Sequence, residues 1–129
     1  MDLIREALAQ NRQTVTEYEA KRYLSSRGIP VCREMLVPSV DEAVVAAERI
    51  GFPVVLKASG ENFFHKTDSG GVALNLRSPE EVRNEGGRLL GIQGADALVV
   101  QEMVQGDREL VCGLIRDGHY GPCVMFGLG

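Results

Sequence analysis

The stretch from Phe52 to Leu76 constrains this chain more than any other part of it. A short apolar run, Val54 to Leu56, delivers Lys57, and a second strand-like run, Val72 to Leu76, begins straight after Gly70-Gly71. Between them lies a polar segment holding His65, Lys66 and Asp68. A cation leaving the end of a strand, followed by a glycine loop, suits a polyphosphate. Lysine supplies a point charge, and glycine lets backbone N–H groups approach closely. The same residues also describe an ordinary hairpin whose Lys57 is a solvated strand end, and their spacing matches no P-loop. On chemistry alone both readings stand.

The length, 129 residues, predicts one domain, and an apolar fraction of 44% is ordinary for a globular chain. A net charge of −4, with no basic block and no aromatic-basic interleaving, argues against nucleic acid as a partner. No apolar stretch reaches bilayer length, and the opening Met-Asp-Leu-Ile-Arg-Glu lacks a signal-peptide layout, so no membrane association is expected. Cys32, Cys112 and Cys123 are odd in number, widely spaced and set among apolar residues. They read as reduced, buried thiols of a cytoplasmic protein. Two histidines, His65 and His119, argue against a zinc site.

Along the chain, Asp2 to Arg12 predicts a short helix. Thr16 with Glu19 is a capping box for a second, which Gly28 stops. Ile29 to Val37 reads as a strand interrupted early by Pro30, hence near an edge. Ser39 and Glu42 open a helix to about Ile50 that turns Ala43, Ala46, Ala47 and Ile50 inward, with Gly51 as its stop. Ser78, Pro79 and Glu81 open another. Gly86 and Gly87, each about 1 kcal/mol worse than alanine in a helix, predict a frayed second half. Ala97 to Met103, Arg108 to Ile115 and Pro122 to Phe126 read as strands, the last two joined at Asp117-Gly118. The order αα-β-α-β-β-α followed by β-β-β is a mixed α+β arrangement whose character shifts near residue 97. The final strand runs into glycines at Phe126-Gly127-Leu128-Gly129 and lacks a partner to cover it, so the chain is expected to be a fragment.

These residues resemble a known family. Thr16-Glu17-Tyr18-Glu19-Ala20-Lys21 followed by Gly28-Ile29-Pro30-Val31 resembles the opening of ATP-grasp domains in nucleotide-dependent acyl-CoA synthetases. Gly51-Phe52-Pro53-Val54-Val55-Leu56-Lys57 resembles their first phosphate-contacting strand. His65-Lys66-Thr67-Asp68 with Gly70-Gly71-Val72 is similar to the signature of the NDP-forming branch, the ADP-forming acetate–CoA ligases. Gln101-Glu102-Met103-Val104 with Gly106 and Glu109 looks like the adenine hinge, and Gly121-Pro122 through Gly129 like the strand and glycine turn after it. In this order the motifs run from about Thr14 to the last residue.

The resemblance implies an α+β ATP-grasp fold with the first subdomain complete (1–96, with the N-terminal helices) and the second only begun (97–129, hinge and first strands). It implies that Lys57 holds the α- and β-phosphates of ATP or ADP and that Glu109 accepts hydrogen bonds from the ribose hydroxyls. Gln101, Glu102, Met103 and Val104 would offer backbone groups to the adenine edge, with Glu102 near the exocyclic amine. His65 would be the catalytic residue, relaying a phosphoryl group between a phosphohistidine of the CoA-binding part and ADP. Imidazole suits this because it is nucleophilic when neutral near pH 7. Lys66 and the N–H groups of Gly70 and Gly71 would steady the developing charge. His119, beside a turn, reads as a surface residue. Magnesium is implied as well, its ligands lying outside this chain, so the fragment alone should not complete phosphoryl transfer. The implied partner is a CoA-binding and ligase subunit or domain. Two other readings stay open: a regulatory synthetase-like region of a protein acetyltransferase, and a degenerate, non-catalytic binding or interaction module.

Overall fold

A computed structural model describes residues 2–61, 63 and 70–129. Ten elements follow in chain order: α1 (Leu3–Ala9), α2 (Glu17–Ser26), β1 (Glu34–Val37), α3 (Val40–Ile50), β2 (Val54–Ser59), β3 (Val72–Leu76), α4 (Pro79–Leu90), β4 (Ala97–Glu102), β5 (Leu110–Asp117) and β6 (Gly121–Leu128). This is the order that the periodicities and caps predict.

Local chemistry explains the boundaries. Thr16 Oγ1 accepts from the Glu19 amide at 3.2 Å while Glu19 Oε2 accepts from the Thr16 amide at 2.7 Å, a closed capping box. Ser39 and Ser78 cap α3 and α4 through the amides of Glu42 and Glu81. There the return contact differs: Glu42 takes the Ser39 hydroxyl and Glu81 the Arg77 amide. The strand expected from Ile29 begins only at Glu34, because residues 29–33 form no ladder. As expected it lies at an edge.

The sheet order is β1-β4-β2-β3, every neighbouring pair antiparallel. Two split β-α-β units therefore interleave, each leaving room for a strand of the other. Ala97–Glu102, grouped with the second part in the sequence reading, is hydrogen-bonded between β1 and β2 inside this first sheet. Between β2 and β3 the register gains one residue on β3, where Asn75 takes a φ of 57°. Asparagine tolerates this left-handed conformation better than most residues, and the result is a bulge.

One face of the sheet carries the core. Val54, Leu56, Ala58, Leu98, Val100 and Val37 lie against Ala43, Ala46, Ala47 and Ile50 of α3 and Val82 and Leu89 of α4. The fraying expected in α4 does not occur. The helix runs through both glycines, and Gly86 is buried at a close contact where a Cβ would meet Leu98 Cδ1 at 3.3 Å and Val40 Cγ2 at 3.4 Å. Tertiary packing outweighs the propensity deficit there.

β5 and β6 form a separate hairpin. Asp117 Oδ1 accepts from the His119 and Tyr120 amides, and Gly121 takes the left-handed φ of 73° that closes the loop. Its apolar side chains are open on both faces, Leu114 at 75%, Phe126 at 73% and Leu128 at 85% exposure on one and Val111 at 51% and Met125 at 47% on the other. The expectation of buried cysteines fails here and elsewhere. Cys112 is exposed, Cys32 and Cys123 are half-buried, and all three are free thiols. No described helix is long and apolar enough to cross a membrane.

Candidate functional site

Directly opposed residues in a ladder share a face. Lys57 opposes Val99 and Val72, Val55 opposes Gln101, and Gln101 opposes Glu34. Lys57, Gln101 and Glu34 thus stand on the face turned away from the α3–α4 core. Gly71 is the β3-side neighbour of this position, since its carbonyl accepts from the Ala58 amide at 2.8 Å. Gly70 takes a left-handed φ of 68° and offers its carbonyl to Arg88 Nη1 at 2.8 Å. Lysine and glycine pair are brought together where β3 begins, as the sequence suggested, although Lys57 lies within β2 and not at its end.

Lys57 is not a solvated strand end. Its ammonium donates to Glu17 Oε1 of α2 at 2.6 Å, and its side chain is only 18% exposed. Glu17 Oε1 is also 2.8 Å from Lys21 Nζ, one helical turn on. Lys21 reaches down to the sheet, donating to Glu34 Oε2 and to Gln101 Oε1, each at 2.9 Å. Glu34 is almost fully buried, and among the described residues its Oε1 has no hydrogen-bond partner. Burial raises the Glu17 pKa, but the hydrogen bonds from Lys21 and Lys57 outweigh this and hold the carboxyl at about 2. For Lys21, burial lowers the pKa, and the hydrogen bonds to Glu17 and Glu34 more than reverse it, so the ammonium is held above its ordinary range.

Sequence reasoning missed Glu17, Lys21 and Glu34. The signal lay in the i, i+4 pairing of Glu17 with Lys21, which places both on one face of α2. That Glu17 meets Lys57, and Lys21 meets Glu34 and Gln101, can be recognised only once β1, β2 and β4 are known to be neighbours.

The hinge residues divide. The Gln101 side chain belongs to the network just described. Glu102 points to the opposite face, where Oε1 accepts from the Arg33 amide at 2.7 Å and Oε2 from Arg33 Nε at 2.9 Å. These hydrogen bonds lower its pKa, the backbone one foremost. The Glu102 amide donates to the Arg33 carbonyl and the Met103 amide to the Pro53 carbonyl. Val104, the next residue, is 69% exposed. Glu109 lies at the open base of the hairpin, its carbonyl accepting from the Gly129 amide at 3.0 Å. No hydrogen bond or ion pair joins it to Lys57 or Gln101 among the described residues. His65, Lys66 and Asp68 lie outside the described residues. His119 is exposed in the hairpin loop, as expected. Among the described residues no group of His, Cys, Asp or Glu is placed to hold a metal ion.

An antiparallel sheet backed by two helices, with a held lysine beside a glycine turn and a second small sheet after it, has the layout of a nucleotide-gripping domain. The chain belongs to the ATP-grasp domain family, whose profile matches residues 6–129. Among curated relatives, the beta subunit of acetate–CoA ligase (ADP-forming) II from Pyrococcus furiosus is 37% identical over 100% of this chain and 58% of its own length. Among solved structures, the dinucleotide-forming acetyl-coenzyme A synthetase 1 of Ca. Korarchaeum cryptofilum is similar in more than one complex. With coenzyme A, Ca-AMPCP and HgCl+ it superposes with a TM-score of 0.91 at 44% identity, covering 99% of this chain and 59% of that one. Its complex with coenzyme A and Mg-AMPPCP, with the phosphohistidine segment pointing towards the nucleotide-binding site, gives 0.81 at 44% identity, over 99% and 56%. This chain therefore spans a little under three-fifths of these proteins.

Proposed function

We propose that this chain is the nucleotide-binding part of an ADP-forming acid–CoA ligase, for which acid + CoA + ATP gives acyl-CoA + ADP + phosphate, reversibly. The observation that carries the reading is the placement of Lys57, a held ammonium on β2 opposite Val72, the residue that follows Gly70 and Gly71. Lys57 grips the α- and β-phosphates, and the amides of Gly70 and Gly71 approach the transferring group. The adenine edge meets the backbone from Gln101 to Val104. With the Glu102 and Met103 amides already donating within the protein, the base takes its hydrogen bond from the Val104 amide. The Glu102 carboxylate, taken up by Arg33, acts on the adenine through its backbone only. Glu109, whose carboxylate has no ion-pair partner among the described residues, accepts from the ribose. The division at the hinge into a first and a second ATP-grasp subdomain belongs to the same reading.

His65 is the phosphoryl relay in this scheme. The P–N bond of the phosphorylated imidazole breaks as a bond forms to a terminal oxygen of ADP, and the released ring nitrogen is left neutral. In a related enzyme a phosphohistidine segment points towards the nucleotide-binding site, which supports phosphoryl transfer between a histidine and the nucleotide in the wider scheme. Magnesium would supply charge neutralisation at the phosphates, and no group of His, Cys, Asp or Glu among the described residues is placed to hold it. The partner is a CoA-binding subunit or domain that delivers the phosphoryl group.

Calorimetry with Mg·ADP tests the site. Binding that falls by about tenfold or more in Lys57→Ala, roughly the loss of one charge-assisted contact, supports it. Silence at millimolar ADP favours a degenerate module. The relay is tested by labelling from the CoA-binding partner. An acid-labile, base-stable phosphate is expected on the unchanged chain and absent from His65→Asn; a variant that still carried the label would remove His65 from the mechanism.

A further inference from the structure

A lysine on a flexible four-carbon stem grips phosphate well only when something holds it, and protein kinases use a helix glutamate to hold their strand lysine for this purpose. Here the same division of labour occurs in a different fold. Lys57 Nζ gives one N–H to Glu17 at 2.6 Å, and its other two have no partner among the described residues. Glu17 is fixed by Lys21 at 2.8 Å, and Lys21 by Glu34 and Gln101 at 2.9 Å each. The chain of contacts leaves the sheet at Lys57 and returns to it on β1 and β4. No residue of α2 is fully buried, and Glu17 and Lys21 tie this helix to the sheet beside Lys57.

We propose that Glu17 is a positioning residue for Lys57, holding its ammonium where a polyphosphate meets it, with Lys21 holding Glu17 in turn. This rests on Lys57 being the phosphate-binding lysine. The carboxyl is ionised throughout the neutral range, because its pKa is held at about 2 against the upward push of burial.

A double-mutant cycle read by calorimetry with ADP, and with inorganic pyrophosphate as a base-free probe, tests it. E17Q is expected to weaken both ligands by about tenfold, and to add nothing further in a K57M background. K21M, one link further away, is expected to weaken them by about threefold. Thermal melts of each variant show that it is folded. Equal losses from E17Q with and without Lys57, or ADP bound by E17Q as tightly as by the unchanged chain, would overturn the proposal while leaving the site intact. If K57M bound ADP normally, the nucleotide reading itself would fall, and the positioning role with it.

Discussion

Glu19 is held by three donors at the start of α2: both terminal nitrogens of Arg12, at 3.0 and 2.7 Å, and the Thr16 amide at 2.7 Å. The Arg12 hydrogen bonds foremost pull its pKa down to about 2 from an ordinary 4.5. A carboxyl depressed on folding stabilises the native state above its unfolded value and loses that contribution as pH falls towards its folded one. The unchanged chain should therefore lose stability between about pH 4.5 and 2, and Glu19→Gln should flatten that acid limb by about 1 kcal/mol after allowance for solvent screening. Urea titrations at stepped pH measure it; parallel curves for the two proteins would exclude Glu19 as the source. At this scale the capping box was legible, since Thr-x-x-Glu is a local signal. Arg12 was not, because its reach to Glu19 depends on the turn between α1 and α2. Glu102 shows the opposite case. Its place beside the hinge was readable, but the partner that occupies its carboxylate, Arg33, is 69 residues away in sequence.

Glycines separate the elements from the expectations about them. Gly86 and Gly87 look equivalent in the sequence, yet only Gly86 sits against neighbours, and a Cβ on Gly87 would meet nothing within 4 Å. Gly87→Ala should raise stability by about 0.5–1 kcal/mol through helix propensity. A fall in the denaturation midpoint would show a contact that this geometry does not contain. Gly60, which follows β2, carried no sequence signal, because its constraint is another segment: a Cβ there would collide with the Gly94 carbonyl oxygen. Gly60→Ala should cost about 2–3 kcal/mol by forcing that loop aside, read as a lower melting temperature. The bulge at Asn75 was equally invisible, since register belongs to a pair of strands and not to one.

At the level of the whole molecule, order along the chain was readable and neighbourhood in space was not. Caps and periodicities are local, whereas the sequence β1-β4-β2-β3 across the sheet is fixed by the fit of two helices on one face. The hairpin shows the same limit. Its strands were recognised, and so was the want of a cover over the last of them, borne out by the exposed Val124, Phe126 and Leu128, but not that Leu110 and Leu114 of β5 would be exposed beside them. A monomer rarely leaves so much contiguous apolar surface open. Leu114→Thr with Phe126→Thr should reduce self-association of this chain in sedimentation velocity, while leaving the melting of the four-stranded sheet within about 1 kcal/mol of the unchanged protein.

The strand between β1 and β2 is also the last of its sheet to be synthesised, at residues 97–102. During translation β1 thus waits without a neighbour until some sixty later residues have left the ribosome. The nascent lobe can close only in one late step. Ribosome-arrested chains ending before Ala97 should remain sensitive to protease, and protection should arrive abruptly once Glu102 emerges.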